Sequence, residues 1–252
     1  MDSFHIVFGR RVAHATGEGR EGVKEAAVSP LFLRILQLLV LVLLQGGVLF
    51  ISAGTIHWPA GWLYIGLYVI MLVCASVVMI PKRREVVEER SKGAKGGKTW
   101  DLWITRLMII PTLGLLVVAG LDERFGWTPP FPLWVTLLGV VLFVAGYILV
   151  LWAMYANKYF SQIVRIQSER GHSAVADGPY QFVRHPGYLG MLASMLGAVF
   201  ILDSVYGLAF FLLYLILVVT RTSLEDRTLQ AELPGYKDYI TRTRYRLLPG
   251  IW

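Results

Sequence analysis

Six apolar runs, at about 31–51, 62–80, 102–121, 133–154, 187–202 and 205–220, dominate this chain of 252 residues. A helix that crosses a bilayer takes about 20 apolar residues, with a range of about 17–25. The first four runs are long enough individually. The last two are short and separated only by Asp203 and Ser204, so they are read as a tight helical hairpin whose far ends continue into polar flanks. The basic residues alternate with the runs. Of the 24 Lys and Arg, all but Arg34, Arg106 and Arg124 lie before the first run, in the second and fourth connections, or after the last run. Such one-sided charge predicts six spans with both termini in the cytoplasm. Arg34 and Arg106 sit near the cytoplasmic ends of their runs, where long side chains can reach the interface.

Composition agrees. The chain is 56% hydrophobic and 16% charged, against about 25% charged in soluble domains. Disorder is excluded by the apolar excess. A disulfide framework is excluded because Cys74 is alone; in its apolar run it reads as a small hydrophobe. The net charge of +7 follows from the basic loops, so no nucleic-acid partner is implied. The basic loop holding Gly93, Gly96 and Gly97 is a solvated face suited to anionic membrane lipids. Residues 1–30 are polar, and a signal peptide would need an apolar core closer to its basic start. They read as a cytoplasmic extension, followed by four spans over 31–154 and a functional region over 155–252. Trp58, Trp62, Trp100, Trp103, Trp127 and Trp134 flank the runs as an interfacial belt.

Polar residues gather in the last hundred positions. Tyr155 to Phe160 close the fourth run; then come Asp177-Gly178-Pro179-Tyr180, Arg184-His185-Pro186-Gly187-Tyr188-Leu189-Gly190, Arg221 to Asp226, and Gly235-Tyr236-Lys237-Asp238-Tyr239. Counted from Ser204, His185 lies 19 residues back, Arg221 17 forward and Glu225 21 forward. At about 1.5 Å per residue the three share one depth. Arg221 and Glu225, four apart, share a helix face. Gly190, Ser194 and Ala198 form a small-residue stripe along which the fifth helix is expected to pack closely on the sixth. The expected result is a pocket of imidazole, guanidinium, carboxylate and phenols at the membrane surface. Singly, each residue has a plain structural explanation, such as a surface ion pair or a helix-starting proline. Ionisable groups that converge at membrane helix ends mark a site. No metal-ligand spacing, dinucleotide-binding turn, P-loop or nucleophilic serine motif is present.

Gly178-Pro179-Tyr180, the Arg184-His185-Pro186-Gly187-Tyr188-Leu189-Gly190 run, the hairpin, Arg221-x-x-x-Glu225 and Gly235-Tyr236-x-x-Tyr239 together resemble the isoprenylcysteine carboxyl methyltransferase family. The likeness covers about 157–252. It implies an all-α polytopic membrane protein of about six transmembrane helices, with a C-terminal helical hairpin and a cytoplasmic pocket for S-adenosyl-L-methionine. It implies cofactor contacts from Gln167, His172, Ser173, Ala174, Val175, Tyr180, His185, Pro186, Gly187, Tyr188 and Glu225. The family's substrate-facing arginine falls on Arg221. Two departures, Glu225-Asp226 for a double Glu and Pro234-Gly235 for Phe-Gly, resemble a bacterial-type branch whose acceptor need not be a prenylated protein. The implied partner is a lipophilic or lipidated acceptor. A carboxylate acceptor is already ionised at neutral pH, so Arg221 would clamp it bidentately with no general base. Three alternatives stand beside this reading. An NADPH-dependent reductase of sterol-like double bonds shares the Arg-His-Pro hairpin, a small-thiol methyltransferase would use Arg221 to favour a thiolate, and a non-enzymatic scaffold would not need these residues.

Overall fold

The computed structural model describes residues 30–252 except 92, 94 and 95; the predicted extension over 1–30 lies outside the described residues, Pro30 apart. The described chain is helical, with no strand. Helix α1 is Pro30–Ala53, α2 Pro59–Lys82, α3 Arg84–Ser91, α4 Thr99–Leu107, α5 Ile109–Phe125, α6 Leu133–Ala156, α7 Pro186–Ile201, α8 Gly207–Glu232 and α9 Tyr236–Arg242. Each apolar run has become helix. Four stretches are long and apolar enough to cross a membrane: Pro59–Lys82, Thr99–Phe125, Leu133–Ala156 and Gly207–Glu232. Two shorter apolar helices, Leu38–Ala53 and Pro186–Ile201, take the other two places. The outer faces of the long and short apolar helices carry the side chains that a bilayer would solvate, such as Leu43, Ile51, Val77, Leu133 and Ile216.

Local chemistry sets the boundaries. Pro59 and Pro186 begin their helices, where a missing N–H costs nothing. The third run differs from its expected single helix. It divides at Met108 into α4 and α5, because Pro111 has no N–H for the Leu107 carbonyl one turn back. The hairpin turn falls at 202–206 as expected. Ser204 is buried there; its Oγ donates to Asp122 Oδ2 at 2.7 Å and accepts from the Gly207 N–H at 3.1 Å. Asp122 also accepts from the Thr128 N–H at 2.7 Å and from Thr128 Oγ1. The turn is thereby tied to the end of α5.

Two expectations are corrected. The small-residue stripe does not join the hairpin's own arms. A Cβ on Gly146 of α6 would lie 2.5 Å from the Gly190 carbonyl oxygen, and one on Gly197 would lie 2.5 Å from the Phe143 nitrogen. Ser194 Oγ reaches the Phe143 carbonyl at 3.3 Å. The stripe thus packs α7 on α6, because α6 supplies matching glycines at 139 and 146 that let two backbones touch. Trp58 is not part of an exposed belt: it is buried, its ring edge-on to Phe50 and its indole against Gly61. Trp62, Trp103, Trp127 and Trp134 are exposed, as an interfacial belt requires.

Candidate active site

At the end of the bundle opposite the hairpin turn, a cavity of about 550 Å³ opens under the loop that joins α6 to α7. Predicted residues meet there from four directions. His172, Ser173, Ala174 and Val175 line it from the loop, and Tyr180 from the short 3-10 turn Gly178–Gln181. His185, Gly187 and Tyr188 line it from the start of α7, and Arg221 and Glu225 from α8. The equal-depth arithmetic of the hairpin therefore matches the folded chain.

Gln167 and Pro186 are not among the lining residues. Gln167 is fully buried: its Nε2 donates to the Tyr159 carbonyl at 2.8 Å and its Oε1 accepts from Arg170. Its backbone N–H donates to His172 Nδ1 at 3.2 Å. Gln167 thus shapes the loop that presents His172. Pro186 is the first residue of α7.

Burial, then the nearby Arg165 and Arg170, push the His172 imidazole down to about 4. It is neutral at physiological pH, and the bond accepted at Nδ1 leaves its proton on Nε2. Its ring lies 4.3 Å from that of Tyr159. Tyr180 is buried, which raises its phenol well above the ordinary value. Its hydroxyl accepts from Asn157 Nδ2 at 3.3 Å, and its carbonyl accepts from the hydroxyls of Tyr239 and Thr243.

Arg221 is buried and already paired. Its Nε donates to Asp101 Oδ1 at 2.6 Å, and its Nη2 donates to Asp101 Oδ2 at 3.1 Å and to the Gln162 carbonyl at 2.7 Å. The sequence reading did not single out Asp101, which is wholly buried and also accepts from the Val164 N–H at 2.7 Å. An acid at the head of an apolar run, amid a basic connection, was the available signal. The expected bidentate grip on an acceptor is corrected here. Either fork of a guanidinium facing a carboxylate needs Nη2, and both Nη2 hydrogens are engaged; the two on Nη1 are left.

Tyr188 links the charged groups. Its hydroxyl donates to Glu225 Oε2 at 2.5 Å, Arg221 lies over its ring at 5.2 Å, and His185 stacks on it at 5.7 Å. The other carboxylate oxygen of Glu225 makes no hydrogen bond among the described residues. Behind this layer, Asp226 is fully buried and accepts from Arg184, from Arg246 Nε at 3.0 Å, from Gln230 and from the Tyr236 hydroxyl at 2.9 Å. Asp226 so fastens α8 to the α7 entrance and to the tail. His185 Nε2 lies 3.5 Å from Asp226 Oδ1 and has no hydrogen-bond partner among the described residues.

The cavity continues away from these polar groups between Leu41 and Leu44 of α1, Met108 and Ile109 at the α4–α5 break, and Met191 of α7.

Fold and site together define a multi-pass helical membrane protein with an ionisable pocket at one end of its bundle. Residues 137–231 match the isoprenylcysteine carboxyl methyltransferase (ICMT) family. The chain is 34% identical over 65 residues to protein-S-isoprenylcysteine O-methyltransferase B of Arabidopsis thaliana, covering 25% of this chain and 33% of that protein. It is 30% identical over 128 residues to the Oryza sativa subsp. indica protein named "Probable protein-S-isoprenylcysteine O-methyltransferase", covering 50% of this chain and 66% of that one. It is 32% identical over 123 residues to the cobalt-zinc-cadmium resistance protein CzcN of Cupriavidus metallidurans, covering 46% and 49%. The chain therefore spans less than two thirds of each of these relatives. Among the described residues no cluster of His, Cys, Asp and Glu could hold a metal ion.

Proposed function

We propose that the protein is an S-adenosyl-L-methionine-dependent membrane methyltransferase acting on a lipophilic acceptor that carries a carboxylate or a related nucleophile. The observation that carries this reading is one cavity with two characters: ionisable side chains beneath the loop and an apolar arm among the helices. Its volume suits a small-molecule site. The cavity would face the cytoplasm together with both termini, in line with the Lys and Arg asymmetry.

The residues fit the donor. Glu225 has a free carboxylate oxygen for an ammonium group, and Tyr180 and His172 add aromatic faces to the wall. The donor supplies an electrophilic methyl group on a sulfonium. The protein positions, orients and excludes water, which are the main demands of an in-line displacement. The acceptor's head is met by the two N–H groups of Arg221 Nη1. Asp101 and Gln162 hold the rest of the guanidinium, so it needs no reorganisation when charge moves off the nucleophile. The loop covers the polar end, and the apolar arm takes the acceptor's tail.

The test is calorimetry on the detergent-solubilised protein with S-adenosylhomocysteine and, separately, NADPH. Binding of the first alone, weakened at least about ten-fold by Glu225→Gln, is the expected result; a charged hydrogen bond is worth about 1.5–3 kcal/mol. Binding of NADPH alone, or no effect of the substitution, would overturn the proposal.

A further inference from the structure

Two hydrogen-bond donors that line the cavity have no partner among the described residues. Tyr214 is buried and lines the cavity, yet its hydroxyl has no hydrogen-bond partner among the described residues. Gln45 of α1 lines the same cavity. Its Oε1 accepts from the Tyr64 hydroxyl at 2.7 Å, which leaves both Nε2 hydrogens without a partner among the described residues. Neither hydroxyl nor amide nitrogen is enclosed by protein without a partner, so both remain open to a ligand.

The two stand at one level. Gln45 lies eight residues before the end of α1, and Tyr214 seven residues after the start of α8. Those helix ends lie on the same side of the bundle: Gly54 packs on Arg124 at the end of α5, and Ser204 bonds to Asp122 of the same helix. At 1.5 Å per residue both donors are about 10–12 Å in from that side. Tyr214 and Arg221 are seven apart on α8 and therefore share a face, with about 10 Å between their levels.

A hydrocarbon tail lying along this face would leave a phenol and a carboxamide dry and unbonded, which costs free energy in an apolar setting. We infer that the acceptor is not a plain hydrocarbon or isoprenoid amphiphile. It carries an oxygen acceptor, such as a ketone, ester or hydroxyl group, within its tail, received by Tyr214 and Gln45 about 10 Å beyond the Arg221 end. This rests on the methyltransferase reading for the identity of the acceptor's head, but the tail site is defined by the cavity itself. In an extended chain of about 1.2 Å per bond, 10 Å corresponds to roughly eight bonds from the reacting group.

The experiment uses N-acetyl-S-pentadecyl-L-cysteine and three analogues with a ketone at the third, fifth or eighth tail carbon. Affinity is measured by calorimetry on the full-length protein in detergent, and methyl transfer is followed in parallel. The ketone at the fifth carbon is expected to bind about five-fold tighter than the plain tail, the worth of one net neutral hydrogen bond. In Tyr214→Phe and in Gln45→Leu the ratio of the two affinities should fall toward one. Equal binding of all four probes by the parent protein overturns the inference, as does a preference that both variants retain. Selective binding without methyl transfer would overturn the proposed reaction and leave the tail site standing; transfer to all four probes with equal affinity would do the reverse.

Discussion

Asp101→Asn offers the sharpest test of how the site is held. The substitution keeps the side chain's shape but removes the charge facing a guanidinium that is 6% exposed. It weakens two charge-assisted hydrogen bonds to Arg221 and the bond from the Val164 N–H. Removing one partner of a buried pair costs about 3–5 kcal/mol, chiefly because the other charge is stranded. Arg221 borders a cavity, so the low end, about 3 kcal/mol, is appropriate. For a chain of this size that corresponds to an apparent melting temperature lower by roughly 6–12 °C. Arg221→Met should cost a similar amount, since it strands Asp101. The double variant removes both charges and should recover at least about 2 kcal/mol relative to the sum of the single changes. The assay is thermal unfolding of the purified protein in detergent at one fixed scan rate, because such unfolding is commonly irreversible. Strict additivity would refute the pairing as an energetic unit. Asp101→Asn should also impair acceptor use more than S-adenosylhomocysteine binding, because Asp101 acts through Arg221.

The α6–α7 contact gives a contrast between two glycines. Gly146→Ala places a methyl group 2.5 Å from the Gly190 carbonyl oxygen and should lower stability by about 1–3 kcal/mol, the usual cost of overpacking. Gly47→Ala on α1 meets nothing within 4 Å and should be neutral or stabilising by up to about 1 kcal/mol through helix propensity; melting curves of the two variants decide. His172 gives a pH dependence. Its folded value, about 4, lies below the unfolded value of 6.5, so the unfolded chain binds the extra proton between those limits. Stability should therefore be complete above about pH 6.5 and fall as pH drops toward 4. His172→Gln should flatten the melting temperature over that window, and an unchanged slope would remove His172 as its source.

The sequence by itself determined the class of fold, because apolar run length and one-sided basic charge depend on the bilayer and not on any particular contact. It also determined which residues share a depth in the hairpin: helical rise is fixed, so residues equally far from Ser204 return to one level. His185, Arg221 and Glu225 do line one cavity for that reason. Family likeness added the loop residues 172–175 and Tyr180, which line the same space, while Gln167 turned inward because the fold of the loop decides which side chains face the cavity. Only the tertiary structure decided the partners. Gly190, Ser194 and Ala198 announced a close approach but not its target, since a stripe of small residues suits any helix with matching glycines. Asp101 is 120 residues from Arg221, and no local periodicity links them. Asp226 looked like the second half of an acidic pair, yet its buried position makes it the anchor of Arg184, Arg246 and Tyr236. Depth along a helix is a one-dimensional quantity that a sequence carries. Which neighbour a helix face meets is settled only when all the helices pack together.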